Sequence, residues 1–107
     1  MFLHTVLFWL RDDLKSTELQ AFEAGLNDLI NIESVKFKFI GKPASTRRPV
    51  VDSSYSYKLV VGFDDLAGHD FYQEAPLHLK FIEDCRSFWT RVQIYDGLSS
   101  SEGSGGH

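Results

Sequence analysis

The apolar run LHTVLFWL, residues 3–10, is the feature that most restricts the fold, because as a strand it has no polar face. Successive side chains of a strand point to opposite sides, so His4, Val6 and Phe8 share one face while Leu7 and Trp9 lie on the other. An antiparallel strand with one solvated face normally alternates apolar and polar residues. We therefore expect helices to cover one face, and a second copy of the chain to cover the face that carries Leu7 and Trp9.

Further elements are predicted along the chain from apolar periodicity and from turn and capping residues. β-Branched and aromatic runs predict three more strands, at 35–41, 54–63 and 91–98. A Thr-x-x-Gln capping box at 17–20 and 3.6-residue apolar spacing predict a helix from residue 17 to about residue 32.

The second helical region is interrupted by a proline. It is predicted as a short helix at 66–74, a kink at Pro76, and a longer helix from Leu77 to about Trp89. Asp64 and Asp65 are expected to cap its start rather than to bind a metal. The order β-α-β-β-α-β predicts a ferredoxin-like α+β fold, in which one four-stranded antiparallel sheet carries both helices on one face.

Length, charge and cysteine content narrow the class of protein. The 107 residues are expected to form one domain, 1–98, followed by a flexible linker or tag remnant, 99–107. A net charge of −4 with scattered basic residues gives no surface for nucleic acid. The first apolar run ends at Leu10, too early to span a membrane, and a cytoplasmic location is expected. Cys85 is the single cysteine, which excludes an internal disulfide and a cysteine-based zinc site, and it is expected to be inert on the buried side of its helix.

Three segments, HTVLFWLRDD, SYSYKLVVGFDD and YQEAPLHLKFIEDCRSFWTRVQIYD, resemble the stress-responsive dimeric α/β-barrel (Dabb) family over residues 2–98. The resemblance implies a homodimeric α+β barrel, and most members of that family have no assigned chemistry. One plant member cyclises a polyketide without a cofactor by means of a histidine–tyrosine pair, and the resemblance places that pair at His78 and Tyr72, with His4 in the same pocket. A further histidine of that enzyme corresponds to Tyr57 here. Some relatives carry magnesium where Glu33 falls, but a single carboxylate is thin support for a metal site, and none is predicted.

The amphipathic pattern of the strands and helices independently predicts that His4, Tyr57 and His78 meet between the sheet and the helices. His78 begins the inward-facing side of the second helix, and His4 and Tyr57 lie on strand faces that those helices are expected to cover. The predicted pocket is lined by His4, Phe8, Tyr57, Leu59, Tyr72, His78, Phe81 and Trp89.

Three functions are compatible with such a pocket. The first is binding of a small apolar or carbonyl-containing molecule. The second is a cofactor-free lyase or cyclase, in which His78 is the base, Tyr72 donates to the developing enolate oxygen, and His4 assists. The third is a purely structural module, since a histidine on an apolar helix face is often a hydrogen-bonded core residue. His69 lies in a turn-like GHD segment and is expected to be solvated.

Overall fold

The computed structural model describes residues 1–99, so the predicted tail lies outside the described residues apart from Ser99. One antiparallel sheet has the strand order β2-β3-β1-β4. The strands are β1 (Phe2–Leu10), β2 (Phe37–Gly41), β3 (Tyr57–Phe63) and β4 (Trp89–Leu98). The helices are α1 (Ser16–Leu29), α2 (Leu66–Glu74) and α3 (Pro76–Cys85), and a single 3-10 turn at Arg86–Phe88 follows α3. The predicted ferredoxin-like plan is confirmed.

The core lies between the helices and one face of the sheet. β1 pairs with both of its neighbours, so that His4 lies opposite Val61 of β3 and Asp96 of β4. The helix-facing side chains of β1 are buried, as the alternation in the sequence predicted. The buried apolar residues of the two layers are Phe2, Val6, Phe8, Phe22, Leu26, Leu29, Ile32, Tyr57, Leu59, Val61, Phe63, Tyr72, Phe81 and Cys85.

The first helix starts earlier than its capping box predicted. The carboxylate of Glu18 accepts a hydrogen bond from the backbone N–H of Lys15 at 2.8 Å, and Lys15 is the residue that precedes the first helical turn. Glu18 therefore satisfies a backbone donor that the helix itself leaves free. The predicted Thr17–Gln20 box was wrong because this acid, three residues after Lys15, performs that role. At α2 the capping prediction is confirmed, because the Asp65 side chain accepts from the backbone N–H of Gly68 at 3.0 Å.

The second long helix ends earlier than predicted. Helix α3 stops at Cys85, and Trp89 is the first residue of β4, where it pairs with Leu10. The backbone N–H of Arg11 donates to the carbonyl of Phe88 at 2.9 Å, which extends this pairing. The helical apolar spacing continues to Trp89, but pairing with the central strand determines its conformation.

A glycine allows α1 and α3 to lie close together. A β-carbon at Gly25 would lie 2.7 Å from Cδ1 of Phe81, closer than packed carbon atoms approach one another. Glycine at position 25 lowers the helix propensity of α1, but it allows the ring of Phe81 to lie in close contact with the helix.

The opposite face of the sheet is largely apolar, and no helix within residues 1–99 packs against it. Leu3, Phe37, Phe39 and Tyr95 are exposed there, and Leu7, Trp9 and Val60 are half-buried. Gly62 lies on this face near the end of β3, where a β-carbon would lie 2.9 Å from atoms of both Leu3 and Phe37. Apolar side chains are therefore packed side by side on this face but stay exposed to solvent. An exposed apolar surface of this kind is typical of an interface.

Candidate functional site

A cavity of about 140 Å³ lies between the helices and the sheet. Its lining is His4, Val6, Phe8, Leu29, Leu59, Tyr72, Gln73, His78, Phe81, Ile82, Trp89, Val92 and Ile94. Every residue predicted for the pocket is in this set except Tyr57. Val92 and Ile94 point to the helix side of β4 but are exposed, so the cavity opens along this edge strand.

His78 lies in the first turn of α3, which begins at Pro76. Its Nδ1–H donates to the backbone carbonyl of Gln73 at 3.1 Å. A carbonyl oxygen only accepts hydrogen bonds, so this contact fixes the neutral tautomer in which Nε2 carries the free lone pair. Burial lowers the pKa of His78 below its ordinary value of 6.5, and the bond to Gln73 only partly offsets this effect. His78 is therefore a neutral imidazole with a basic nitrogen available at neutral pH.

Tyr72 is 1% exposed, and its ring lies 4.9 Å from that of His78 and 5.9 Å from that of His4. Its hydroxyl makes no hydrogen bond with residues 1–99, and it is not among the fully buried unpaired polar atoms of that range. The oxygen must therefore reach open space, and the cavity is the space that Tyr72 lines. Burial raises the pKa of Tyr72, so the phenol stays protonated and can donate a hydrogen bond.

His4 approaches the cavity from the central strand. Its Nδ1–H donates to a carboxylate oxygen of Asp96, its register partner on β4, at 2.6 Å. Burial lowers the pKa of His4, and the bond to Asp96 counteracts this only in part. The second ring nitrogen has no hydrogen-bond partner in the described part of the chain. The cavity wall thus combines a phenol with two imidazoles, all in apolar surroundings.

Tyr57 lies apart from this group. Its hydroxyl donates to the carboxylate of Glu23 on α1, and its ring packs edge-on to Phe22 with 5.4 Å between ring centroids. Desolvation, followed by the bond to Glu23, raises the pKa of Tyr57 to about 12. This tyrosine therefore links the sheet to α1, and its hydroxyl is already occupied.

Sequence reasoning missed two polar neighbours of the cavity. Asp96 was assigned no role, because the β1–β4 register that brings it to His4 is not visible in sequence. His69 was predicted to be solvated, and this was wrong. Its ring lies 4.7 Å from that of Phe2 and 5.2 Å from that of His4. Val6 was within reach of prediction, since it shares a strand face with His4 and Phe8.

Two further residues considered in the sequence, Cys85 and Glu33, lie outside the group formed by His4, Tyr72 and His78. Cys85 is buried, as predicted, and burial raises the pKa of its thiol, which disfavours the reactive thiolate. Glu33 is exposed and belongs to no cluster of potential metal ligands within residues 1–99. No helix in this range has the length and apolar character needed to cross a membrane.

The strand order β2-β3-β1-β4 and the helices on one face of the sheet define a ferredoxin-like α+β domain. The family model for the stress responsive A/B barrel domain matches residues 2–97. The chain belongs to this family. No curated protein sequence matches it.

Solved structures agree with this assignment at low sequence identity. A Dabb family protein with a ferredoxin-like fold from Mesorhizobium loti is 23% identical, with a TM-score of 0.73 over 92% of this chain and 95% of that one. A dimeric ferredoxin-like protein of unknown function from Thermobifida fusca is 17% identical, with a TM-score of 0.73 over 92% and 90% of the two chains. A hydroxynitrile lyase from Passiflora edulis is 14% identical, with a TM-score of 0.74 over 92% and 94%. At these identities the likeness establishes the fold.

Proposed function

We propose that this domain binds a small carbonyl-containing molecule in the cavity between its helices and its sheet. The observation that carries the proposal is an apolar cavity whose wall holds three polar groups without hydrogen-bond partners among residues 1–99: the Tyr72 hydroxyl and one ring nitrogen each of His4 and His78. An apolar pocket with a few convergent polar groups is the usual form of a small-molecule site. A protonated phenol supplies the donor that a carbonyl oxygen requires.

The size of the cavity restricts the ligand. An engineered cavity of about 150 Å³ holds one benzene molecule, and this cavity measures about 140 Å³. A compact ring or a short branched chain therefore fits inside, whereas a longer chain would have to extend past Val92 and Ile94 at the open edge. A purely structural module is disfavoured, because a filled core would leave no such space beside His78.

Cyclohexanone and methylenecyclohexane test this proposal, because the two rings have nearly the same shape and only the ketone accepts a hydrogen bond. NMR titration of the protein with each should show tighter binding of the ketone, with the largest shifts at cavity residues. Tyr72→Phe should remove the preference, and one hydrogen bond of about 0.5–1.5 kcal/mol corresponds to a loss of about 2- to 12-fold in ketone affinity. Equal binding of both rings, or shifts confined to residues outside the cavity, would contradict the proposal.

A second candidate function is cofactor-free acid–base catalysis at the same site. It is favoured by the Nδ1–H bond of His78 to Gln73, which leaves a basic Nε2 beside the Tyr72 ring. In this reaction Nε2 of His78 takes a proton from the carbon next to the ligand carbonyl. The electron pair moves onto the oxygen, where the Tyr72 hydroxyl donates a hydrogen bond to the enolate. A similar fold carries lyase chemistry in the Passiflora edulis protein.

Exchange of the α-hydrogens of cyclohexanone for deuterium in D₂O measures this step directly. The wild-type protein should accelerate the exchange, and His78→Gln should lose about 100-fold or more of the enzymatic rate. Leu79→Gln is the matched control, because Leu79 is the next residue of α3 and is exposed. Exchange at the same rate in His78→Gln would leave the domain as a binding protein only.

The apolar outer face of the sheet supports a homodimer. We infer that a second copy packs against it, with Leu7 and Trp9 in the contact, and the apolar outer side of the first strand supports this arrangement. Trp9 is held in place by its indole N–H, which donates to Ser54 Oγ at 3.0 Å, and by the Arg91 guanidinium, which lies 4.1 Å from its ring centroid. An exposed apolar sheet face suits a self-complementary contact, and the similar Thermobifida fusca protein is described as dimeric.

A further inference from the structure

Next to the cavity, His4, His69 and Asp96 form a compact cluster. Each offers one potential ligand atom, and these atoms lie within 4.8 Å of one another. We propose that this cluster binds a divalent transition-metal ion such as Zn²⁺. The cluster differs from the Glu33 position, and it shares only His4 with the carbonyl site.

The fold brings these three residues together from three elements. His4 and Asp96 are register partners on β1 and β4, so the sheet fixes their separation. His69 is on the first turns of α2, where its backbone N–H donates to the carbonyl of Asp65, the capping residue, at 3.3 Å. The His69 ring also packs edge-on to Phe63 with 5.9 Å between centroids. Two rigid strands and a capped helix therefore hold the cluster.

The orientation of His69 is that of a metal-binding histidine. Its Nδ1 lies 3.0 Å from a carboxylate oxygen of Asp70, to which it donates. A carboxylate that accepts from one ring nitrogen fixes the tautomer in which the other nitrogen carries the lone pair, and this arrangement recurs around metal-ligating histidines.

The distances are compatible with coordination. Metal–nitrogen bonds of about 2.0–2.1 Å place tetrahedral ligand atoms roughly 3.3 Å apart. The His4 and Asp96 atoms are 2.6 Å apart through a hydrogen bond, and a metal ion would take the place of the shared proton. Closing the cluster around an ion therefore requires side-chain shifts of an ångström or so and no change of fold.

The ligand set selects the class of ion. Two imidazoles and one carboxylate suit Zn²⁺, Co²⁺, Ni²⁺ and Cu²⁺, whereas Mg²⁺ and Ca²⁺ prefer sites made wholly of oxygen atoms. Three protein ligands leave at least one coordination position open. Because His4 also lines the cavity, that position would lie at the edge of the carbonyl site.

Isothermal titration of the full-length protein with Zn²⁺ alone tests the proposal. We expect one equivalent to bind, and an excess of Mg²⁺ not to compete. His69→Gln should weaken binding by about 10-fold or more, since even outer-shell changes cost that much. His78→Gln is the matched control, and its Zn²⁺ affinity should stay within about twofold of the wild type. Asp96→Asn gives a second test should His69→Gln fold poorly.

Imidazole NMR resonances provide an independent readout. The side-chain signals of His4 and His69 should shift on addition of one equivalent of Zn²⁺, and those of His78 should shift far less. The proposal is overturned if no saturable binding occurs below about 100 µM, or if His69→Gln binds Zn²⁺ as tightly as the wild type. Equal weakening by His78→Gln would likewise exclude a site at this cluster.

Discussion

Replacing Tyr72 with phenylalanine should leave the fold as stable as before, although Tyr72 is among the most buried side chains of the protein. The reason is that its hydroxyl has no hydrogen-bond partner in the described chain and faces the cavity. Tyr57→Phe is the matched control. Tyr57 is also buried, but its hydroxyl donates to the Glu23 carboxylate.

The two variants should therefore differ in the free energy of unfolding. A hydrogen bond to a charged group contributes about 1.5–3 kcal/mol, and the half-buried position of Glu23 brings the expected loss in Tyr57→Phe to about 1–2 kcal/mol. Removing the unpaired Tyr72 hydroxyl should change the stability by less than about 0.5 kcal/mol, or raise it, because an unsatisfied polar group is costly in an apolar wall. The expected gap between the two variants is about 1 kcal/mol or more.

Equilibrium unfolding in urea at pH 7 measures this gap. All proteins must be compared at one chain concentration, because the proposed dimer would make the apparent stability depend on concentration. A gap of about 1 kcal/mol also shifts the melting temperature by roughly 4–8 °C in a domain of this size. A loss in Tyr72→Phe as large as that in Tyr57→Phe would refute the reasoning, because it would give the Tyr72 hydroxyl a structural partner rather than a free role in the cavity.

Three further predictions follow from the packing and the charges. Gly25→Ala should lower the free energy of unfolding, measured in urea, by about 1–3 kcal/mol and push Phe81 into the cavity. The reason is that the new β-carbon would lie 2.7 Å from the Phe81 ring. A gain of about 1 kcal/mol, as helix propensity alone would give, would contradict this prediction. Below pH 6.5 the unfolded chain protonates His78 more readily than the folded chain does, because burial lowers the folded pKa. The stability that this difference provides is present above pH 6.5 and is lost as the pH falls. Urea titrations from pH 7 to pH 5 should therefore show a smaller decline in His78→Gln than in the wild type, and identical declines would argue against the lowered pKa. Trp9→Glu should shift the mass in sedimentation from two chains to one chain of 12.2 kDa, and an unchanged dimer mass would remove Trp9 from the contact.

The fold and most of the cavity were predictable because both depend on simple periodicity. Alternation in β1 placed His4 and Phe8 on the helix side, and 3.6-residue spacing placed His78 and Phe81 on the inward face of α3. These patterns require no knowledge of which strands pair. The family was indicated separately, by a resemblance of short motifs, and the family model over residues 2–97 confirms it.

Features that depend on strand register or on competition between elements were not predictable. Asp96 meets His4 only because β4 pairs with β1 in one particular register. Trp89 continues a helical pattern, but it pairs with Leu10 in the sheet. His69 has the local sequence of a turn, and only the capped start of α2 turns its ring toward the core.

The central claim is that the cavity beside Tyr72 and His78 receives a carbonyl compound. A crystal structure of the protein soaked with cyclohexanone tests it most directly. We expect the ring to occupy the cavity, with its oxygen about 2.5–3.0 Å from the Tyr72 hydroxyl oxygen. An empty cavity at saturating cyclohexanone, or a ketone whose oxygen points away from both Tyr72 and His78, would contradict the claim.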